Sequence, residues 1–315
     1  MVNEKKNYKA WLYLAPLLFL MVIFTIYPLI KTILISFDPN YNPIEGVVNF
    51  KNFGFDNYRH ILVGKYDNGV YIGRGGFDNA LVNTLLIVVI SVPLSTILAL
   101  AIAVGLMSIE KVRGFFQTIY FLPYITNTIA IGMVFAVLFN YQFGLVNAFF
   151  GLFGMDPINW VNQAGGPVPN PPSKTSMMIV AQSYIVWQAL PFKILIFVGG
   201  IQGINKQYYQ AAQIDNTSKW RVFRKITVPM LSPLIMYVVI TSLIGSFKTY
   251  SAIIGLFPPN SEQVDQMNTL VGYVYSQLGK TGGYSLGAAG AVVLFLIILV
   301  ITGINSYIGR KKVHY

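Results

Sequence analysis

The chain has 315 residues, of which 55% are hydrophobic and only 10% charged, with a mean hydropathy of +0.58; an average soluble domain carries roughly 25% charged residues, so the composition points to an integral membrane protein. The formal net charge of +11 does not point to nucleic acid, because the Lys and Arg residues flank apolar stretches instead of interleaving with exposed aromatics. The absence of cysteine excludes disulfides, thiolate metal sites and thiol nucleophiles.

Residues 1–9 read as a cytoplasmic N-terminus carrying Lys5, Lys6 and Lys9. The first apolar stretch, from Ala10 to about Phe37, outruns the roughly 7 to 15 apolar residues of a signal peptide and lacks a small-residue cleavage site, so it is expected to stay as an anchor helix. Five more stretches reach the roughly 20 residues that cross hydrocarbon: about Asn79–Met107, Phe115–Phe139, Ser176–Ile201, Val228–Ser251 and Leu286–Ile308. The predicted fold is therefore all-α, with six transmembrane helices in a domain of residues 10–309 and a short C-terminus of residues 310–315. Six crossings place both termini on one side. The segments Lys5–Lys9, Lys111–Arg113, Lys206–Lys225 and Arg310–Lys312 hold roughly twice the Lys and Arg of the opposite loops, which makes their side cytoplasmic.

Outside are expected a loop over 38–78, a Pro-rich loop around Gly165–Lys174, and the segment Phe257–Tyr284. In the last, Leu270, Tyr273 and Leu278 share one face of a short surface helix. Prolines at Pro28, Pro93, Pro123, Pro191 and Pro233 invite kinks. Small residues at Gly132, Ala189, Gly199, Gly200, Gly287, Ala288, Ala289 and Gly290 permit close helix contact.

The cytoplasmic loop 203–228 contains a polar, basic island, QYYQAAQIDNTSKWRVFRKITVP, from Gln207 to Pro229. Asn205 is placed to cap a helix through Tyr208, Gln210, Ala211, Ala212 and Ile214, and the Ala pair keeps one face shallow enough for a groove in a partner. Asn216 stands where a helix stop needs a left-handed residue. A second helix is predicted from Thr217 or Ser218, with Trp220, Phe223 and Ile226 toward the bundle and Arg221, Arg224 and Lys225 at the lipid interface. Pro229 is expected to open the next span.

These residues resemble the signature of importer permeases of the ATP-binding-cassette superfamily: Glu-Ala-Ala, two residues, Asp-Gly, then a spaced Phe, Ile, Leu-Pro and a final Pro. Ala211, Ala212, Asp215, Phe223, Ile226, Pro229 and Pro233 meet it, while Gln210 stands for Glu, Asn216 for Gly and Val228 for Leu. APLLFLMVIFTIYPLIKTILISF, NFGFDNYRHIL, NALVNTLL, GFFQTIYFLPYI, FGLVNAFFGLFG, INW and PFKILIFVGGIQGI follow in the order of the first permease of the maltose and oligosaccharide group. The resemblance implies a sugar importer with a second homologous permease, two ATPase subunits that use ATP and Mg, and an extracytoplasmic binding protein. No cofactor is expected on this chain. It implies ATPase docking at Gln210, Ala211, Ala212, Asp215 and Asn216, and a sugar pathway at Tyr124, Thr128, Ala189, Phe192, Gly245 and Lys248, with Trp187 and Tyr250 as aromatic neighbours.

Lys193 and Lys248 are the unusual charges within apolar stretches. Lys248 is expected to lie deep, which leaves open an acidic glycan or glycerol phosphate as substrate, whereas Lys193 and Lys31 are expected to reach an interface. An ion-coupled carrier usually keeps an acid or histidine in the membrane, yet here the Asp, Glu, His60 and His314 side chains fall in loops or termini. For a membrane enzyme, two histidines this far apart make no zinc-protease pair, and Gly279-Lys280-Thr281 lacks the first Gly of a phosphate loop because Val274 occupies its position.

Overall fold

The computed structural model describes residues 7–67, 70–109, 113–161, 171–257 and 261–312. Lys5, Lys6, Lys111 and most of the Pro-rich loop fall outside them.

Proline placement shapes the first span. Helix α1 (Asn7–Met21) passes through a π-helical turn at Val22–Ile26 into α2 (Tyr27–Ser36), whose first turn contains Pro28. Proline cannot donate to the ladder and crowds the carbonyl four residues earlier, so widening one turn keeps the helix running. Across the 26 residues Trp11–Ser36, the apolar window has no residue buried within the chain, so its covering must come from lipid or another protein.

The 38–78 loop is built, not a loose connector. Asp38 is buried and accepts from the Asn49 and Asn40 amides at 2.8 and 3.2 Å. Asn57 Nδ2 donates to the Ser36 carbonyl at 3.0 Å, and the Phe37 ring meets Phe53, Phe55 and Tyr58 at 5.2 to 6.1 Å. The loop contains α3 (Asp56–Leu62) and an antiparallel hairpin of β1 (Lys65–Asp67) and β2 (Val70–Gly73), with Tyr66 opposite Tyr71. This hairpin is the one departure from an all-α chain among the described residues.

Helix α4 (Phe77–Met107) is 31 residues long. The expected single span Phe115–Phe139 is instead two helices, α5 (Arg113–Ile125) and α6 (Thr128–Leu138), bent by 110°. Pro123 weakens the last turn of α5, Thr126 Oγ1 turns back to the Pro123 carbonyl at 3.0 Å, and extended Asn127 caps α6 by accepting from the Ile129 and Ala130 amides. After α7 (Leu145–Gly151), Asn147 ties the following loop: its amide donates to the Tyr141 and Ile158 carbonyls, and its oxygen accepts from Trp160 Nε1 at 2.9 Å.

Helix α8 (Lys174–Gln202), capped by Ser173, forms the centre of the packing. Then come α9 (Lys206–Ile214), α10 (Lys219–Val222), a π-helical turn at Phe223–Thr227, α11 (Val228–Met230) and α12 (Ser232–Phe247). The stretch Lys219–Met230 meets α12 at 67°, and Pro229 and Pro233 fall in the first turns of α11 and α12. The remainder is α13 (Ser251–Leu256), α14 (Glu262–Gln266), α15 (Leu270–Leu278) and α16 (Gly283–Lys312). Leu270 and Tyr273 are buried, while Leu278 is 42% exposed, so the face these residues were expected to share is packed at the start of α15 and open at its end. By length and composition, four helices reach across a membrane, or six if each bent pair counts as one span.

The residues fall into two compact units, Met1–Asp78 with Gly272–Leu296, and Asn79–Val271 with Ile297–Tyr315. In the first, Tyr273 packs edge-on against Phe77. The second has one core around Met177, Tyr184, Ala252 and Leu256, and another around Ala99, Phe197, Leu231 and Val238. Helices α6 and α13 touch backbone to backbone: a Cβ on Gly132 would lie 2.8 Å from Gly255. At Gly200 a Cβ would collide with the Leu234 and Leu231 side chains, whereas nothing lies within 4 Å of one at Gly199.

Candidate functional site

The polar, basic island folds as a helix, a left-handed stop and a second helix. Asn205 begins α9 by accepting from the Gln207 amide at 3.0 Å. Its end is closed by Asn216 at φ +52°, with Asn216 N–H donating to the Gln213 carbonyl at 3.0 Å and Thr217 N–H to the Ala212 carbonyl at 2.9 Å. These are the paired bonds of a Schellman stop. Tyr209 and Thr227 share a hydroxyl hydrogen bond at 3.2 Å, tying α9 to the helical stretch that leads into α12.

Within this module Gln210, Ala211, Asp215 and Asn216 are exposed, and Ala212 is buried at 7% exposure. Ala211 and Asp215 line a concavity of about 620 Å³ together with Gln207, Tyr208, Arg221 and Lys225. Two side chains of α9 project outward, Ile214 at 86% exposure and Tyr208 at 52%. Trp220, expected against the bundle, is 69% exposed and stacks on Phe223 at 5.4 Å. A four-residue α10 followed by a π-helical turn shifts the faces away from an ideal helical wheel.

Four residues of the expected pathway, Tyr124, Ala189, Phe192 and Gly245, come together in a groove of about 350 Å³, within the roughly 300–1,000 Å³ of small-molecule sites. The Tyr124 and Phe192 rings stack at 6.1 Å and 13°. Ile185, Gln188, Lys193, Thr241, Ser242, Ser246 and Thr249 complete the lining. On α12, Thr241, Ser242, Gly245 and Ser246 recur as i, i+1, i+4 and i+5, a stripe of small and polar residues that periodicity alone could have found, and Thr249 follows just past the helix end. Thr128 lies behind this wall, its hydroxyl accepting from Gln188 Nε2 at 2.8 Å and its carbonyl from the Tyr184 hydroxyl.

The other expected positions are not among the lining residues. Trp187 packs on Phe135 at 5.2 Å, against the core, and Tyr250 occupies the corner that starts α13. Lys248 is exposed and ends α12, whereas Lys193 is the buried lysine, 3% exposed. The apolar stretch expected to run to Ser251 is helical as α12 only to Phe247, so Lys248 caps its end. Among the described residues no group of three His, Cys, Asp or Glu side chains is placed to hold a metal ion.

Residues 69–314 match the family described as the binding-protein-dependent transport system inner membrane component. The chain is 31% identical over 308 residues to the arabinooligosaccharides transport system permease protein of Bacillus subtilis (strain 168), covering 95% of this chain and 88% of that protein. It is 28% identical to the trehalose/maltose transport system permease protein of Thermococcus litoralis, covering 96% and 94%. The lactose transport system permease protein of Rhizobium radiobacter is 26% identical, again with 96% and 94% covered. In fold, the chain resembles one from the crystal structure of a bacterial ABC transporter involved in the import of the acidic polysaccharide alginate, with a TM-score of 0.77, 19% identity, and 98% and 96% covered. The second structure is a bacterial alginate ABC transporter in complex with an alginate pentasaccharide-bound periplasmic protein, with a TM-score of 0.78, 20% identity and the same coverage. By the match over most of its length, this chain belongs to the family of inner membrane components of binding-protein-dependent transport systems.

Proposed function

We propose that this chain is a permease subunit of an ATP-driven importer that moves a neutral sugar or oligosaccharide from an extracytoplasmic binding protein to the cytoplasm. It pairs with a second homologous permease. ATP and Mg are used by two separate ATPase subunits, and both termini of this chain face the cytoplasm. The names of the relatives support the substrate class, since arabinooligosaccharides, trehalose, maltose and lactose are neutral sugars. Lys248, on which an anionic substrate rested, is not a lining residue of the groove. The groove itself suits a sugar: stacked rings offer an apolar wall to C–H faces, and Gln188, Thr241, Ser242 and Ser246 offer partners to hydroxyls.

The observation that carries this reading is the exposed α9, closed at Asn216 and tied through Tyr209 to the stretch that leads into α12. Such a knob transmits force because it cannot move without the helices it is fixed to. Nucleotide-driven closure of two docked ATPases then biases the permease pair between inward and outward access, by several kcal/mol if the shift is to be near complete. Ala211→Arg or Asp215→Arg places a long cation in the docking concavity. In vesicles holding the whole complex, either is expected to reduce sugar- and binding-protein-stimulated ATP hydrolysis by about tenfold or more, the scale of a lost interface hot spot. Unimpaired stimulation in both variants rejects the docking role.

A further inference from the structure

Lys193 occupies an unusual position for a cation. It lies within α8, is 3% exposed, and donates from Nζ to Ser95 Oγ at 2.6 Å and Thr96 Oγ1 at 3.3 Å on α4. Both hydroxyls spend their own protons on α4 carbonyls, Ser95 on Ser91 and Thr96 on Val92, so toward Lys193 they act as acceptors. No Asp or Glu occurs anywhere in residues 79–107 or 174–202, so neither helix supplies a carboxylate inside the span. An ammonium has three N–H donors. Two are taken, and the side chain lines the groove beside Phe192 and Ser246.

A neutral donor would be enough to join α4 to α8, and a buried charge is a poor means of gaining stability. We propose that Lys193 is a specificity-determining residue, whose remaining N–H donates to one hydroxyl oxygen of the passing sugar. This rests on the sugar-import reading above and adds to it a particular contact. A sugar lacking that hydroxyl leaves the ammonium without that acceptor, and a site built around a hydrogen bond rejects such analogues far more strongly than a purely apolar pocket rejects a missing methylene.

The test is uptake by the complete complex in proteoliposomes, first of arabinotriose, maltose, trehalose and lactose, then of the monodeoxy series of whichever is transported fastest. Using one binding protein for all permease variants cancels its own discrimination. The wild type is expected to disfavour one deoxy analogue by roughly tenfold or more, and Lys193→Met to bring that ratio within about twofold of unity while loaded binding protein still stimulates ATP hydrolysis. Lys193→Gln, which keeps a donor for Ser95, is expected to assemble and give an intermediate ratio. A wild-type ratio retained in Lys193→Met, or no disfavoured analogue in the wild type, overturns the proposal and leaves the importer reading standing. Failure of both variants to assemble assigns Lys193 to the α4–α8 contact and also overturns it. If the wild type transports none of the four sugars, the substrate reading falls and the inference falls with it.

Discussion

Asn216 shows what one residue contributes to the turn that closes α9. At φ +52° it is the one non-glycine residue with positive φ among the described residues, and both closing bonds of α9 depend on it. Asn tolerates this region because its short polar side chain relieves part of the strain; a β-branched residue does not. Asn216→Gly is therefore expected to leave coupling intact or tighten it slightly. Asn216→Val should cost about 1–2 kcal/mol locally, seen as a lower melting temperature of the complex and weaker stimulation of ATP hydrolysis. Equal behaviour of the two variants would contradict the left-handed stop. This stop was legible from the sequence because capping chemistry is local. The burial of Lys193 and the end of α12 before Lys248 were not, since they depend on which face of α8 meets α4 and on where the chain turns, and both are set by tertiary packing.

Single elements show the same division. The six apolar stretches were visible, but the hydropathy window ran across the break between α5 and α6, because Thr126 and Asn127 barely lower its average while they redirect the backbone by 110°. The partner that explains the break, Gly255, lies in a separate short helix far along the chain. If α6 is held by backbone contact with α13, Gly132→Leu or Gly255→Leu forces the two apart and is expected to abolish most of the folded yield in detergent. Gly199→Ala, with nothing within 4 Å of the new methyl group, should be neutral or stabilising by about 0.5–1 kcal/mol through helix propensity. Comparable losses for the three variants, measured by size-exclusion yield and melting temperature, would contradict the close α6–α13 approach. The 38–78 loop was undersold for the same reason: its order depends on Asp38 reaching the Asn49 amide and on a cluster of rings that no short-range pattern announces.

At the scale of the molecule, the sequence carried the membrane class, the apolar stretches and the short helix α9 with its left-handed stop, because composition and local motifs encode them directly. The groove needed α5, α8 and α12 to meet, so only half of the proposed pathway residues line it, and its polar stripe from Thr241 to Thr249 emerged from the fold. The account turns on α9 being a cytoplasmic handle gripped by an ATPase. Because the chain has no cysteine, Ala211→Cys introduces a single labelling site. The decisive measurement is its reaction with a membrane-impermeant maleimide in inside-out vesicles, before and after the ATPase is stripped. The account predicts protection while the ATPase is bound, rapid labelling once it is removed, and none from the outside of intact cells. Labelling from outside, or a rate indifferent to the ATPase, would contradict it.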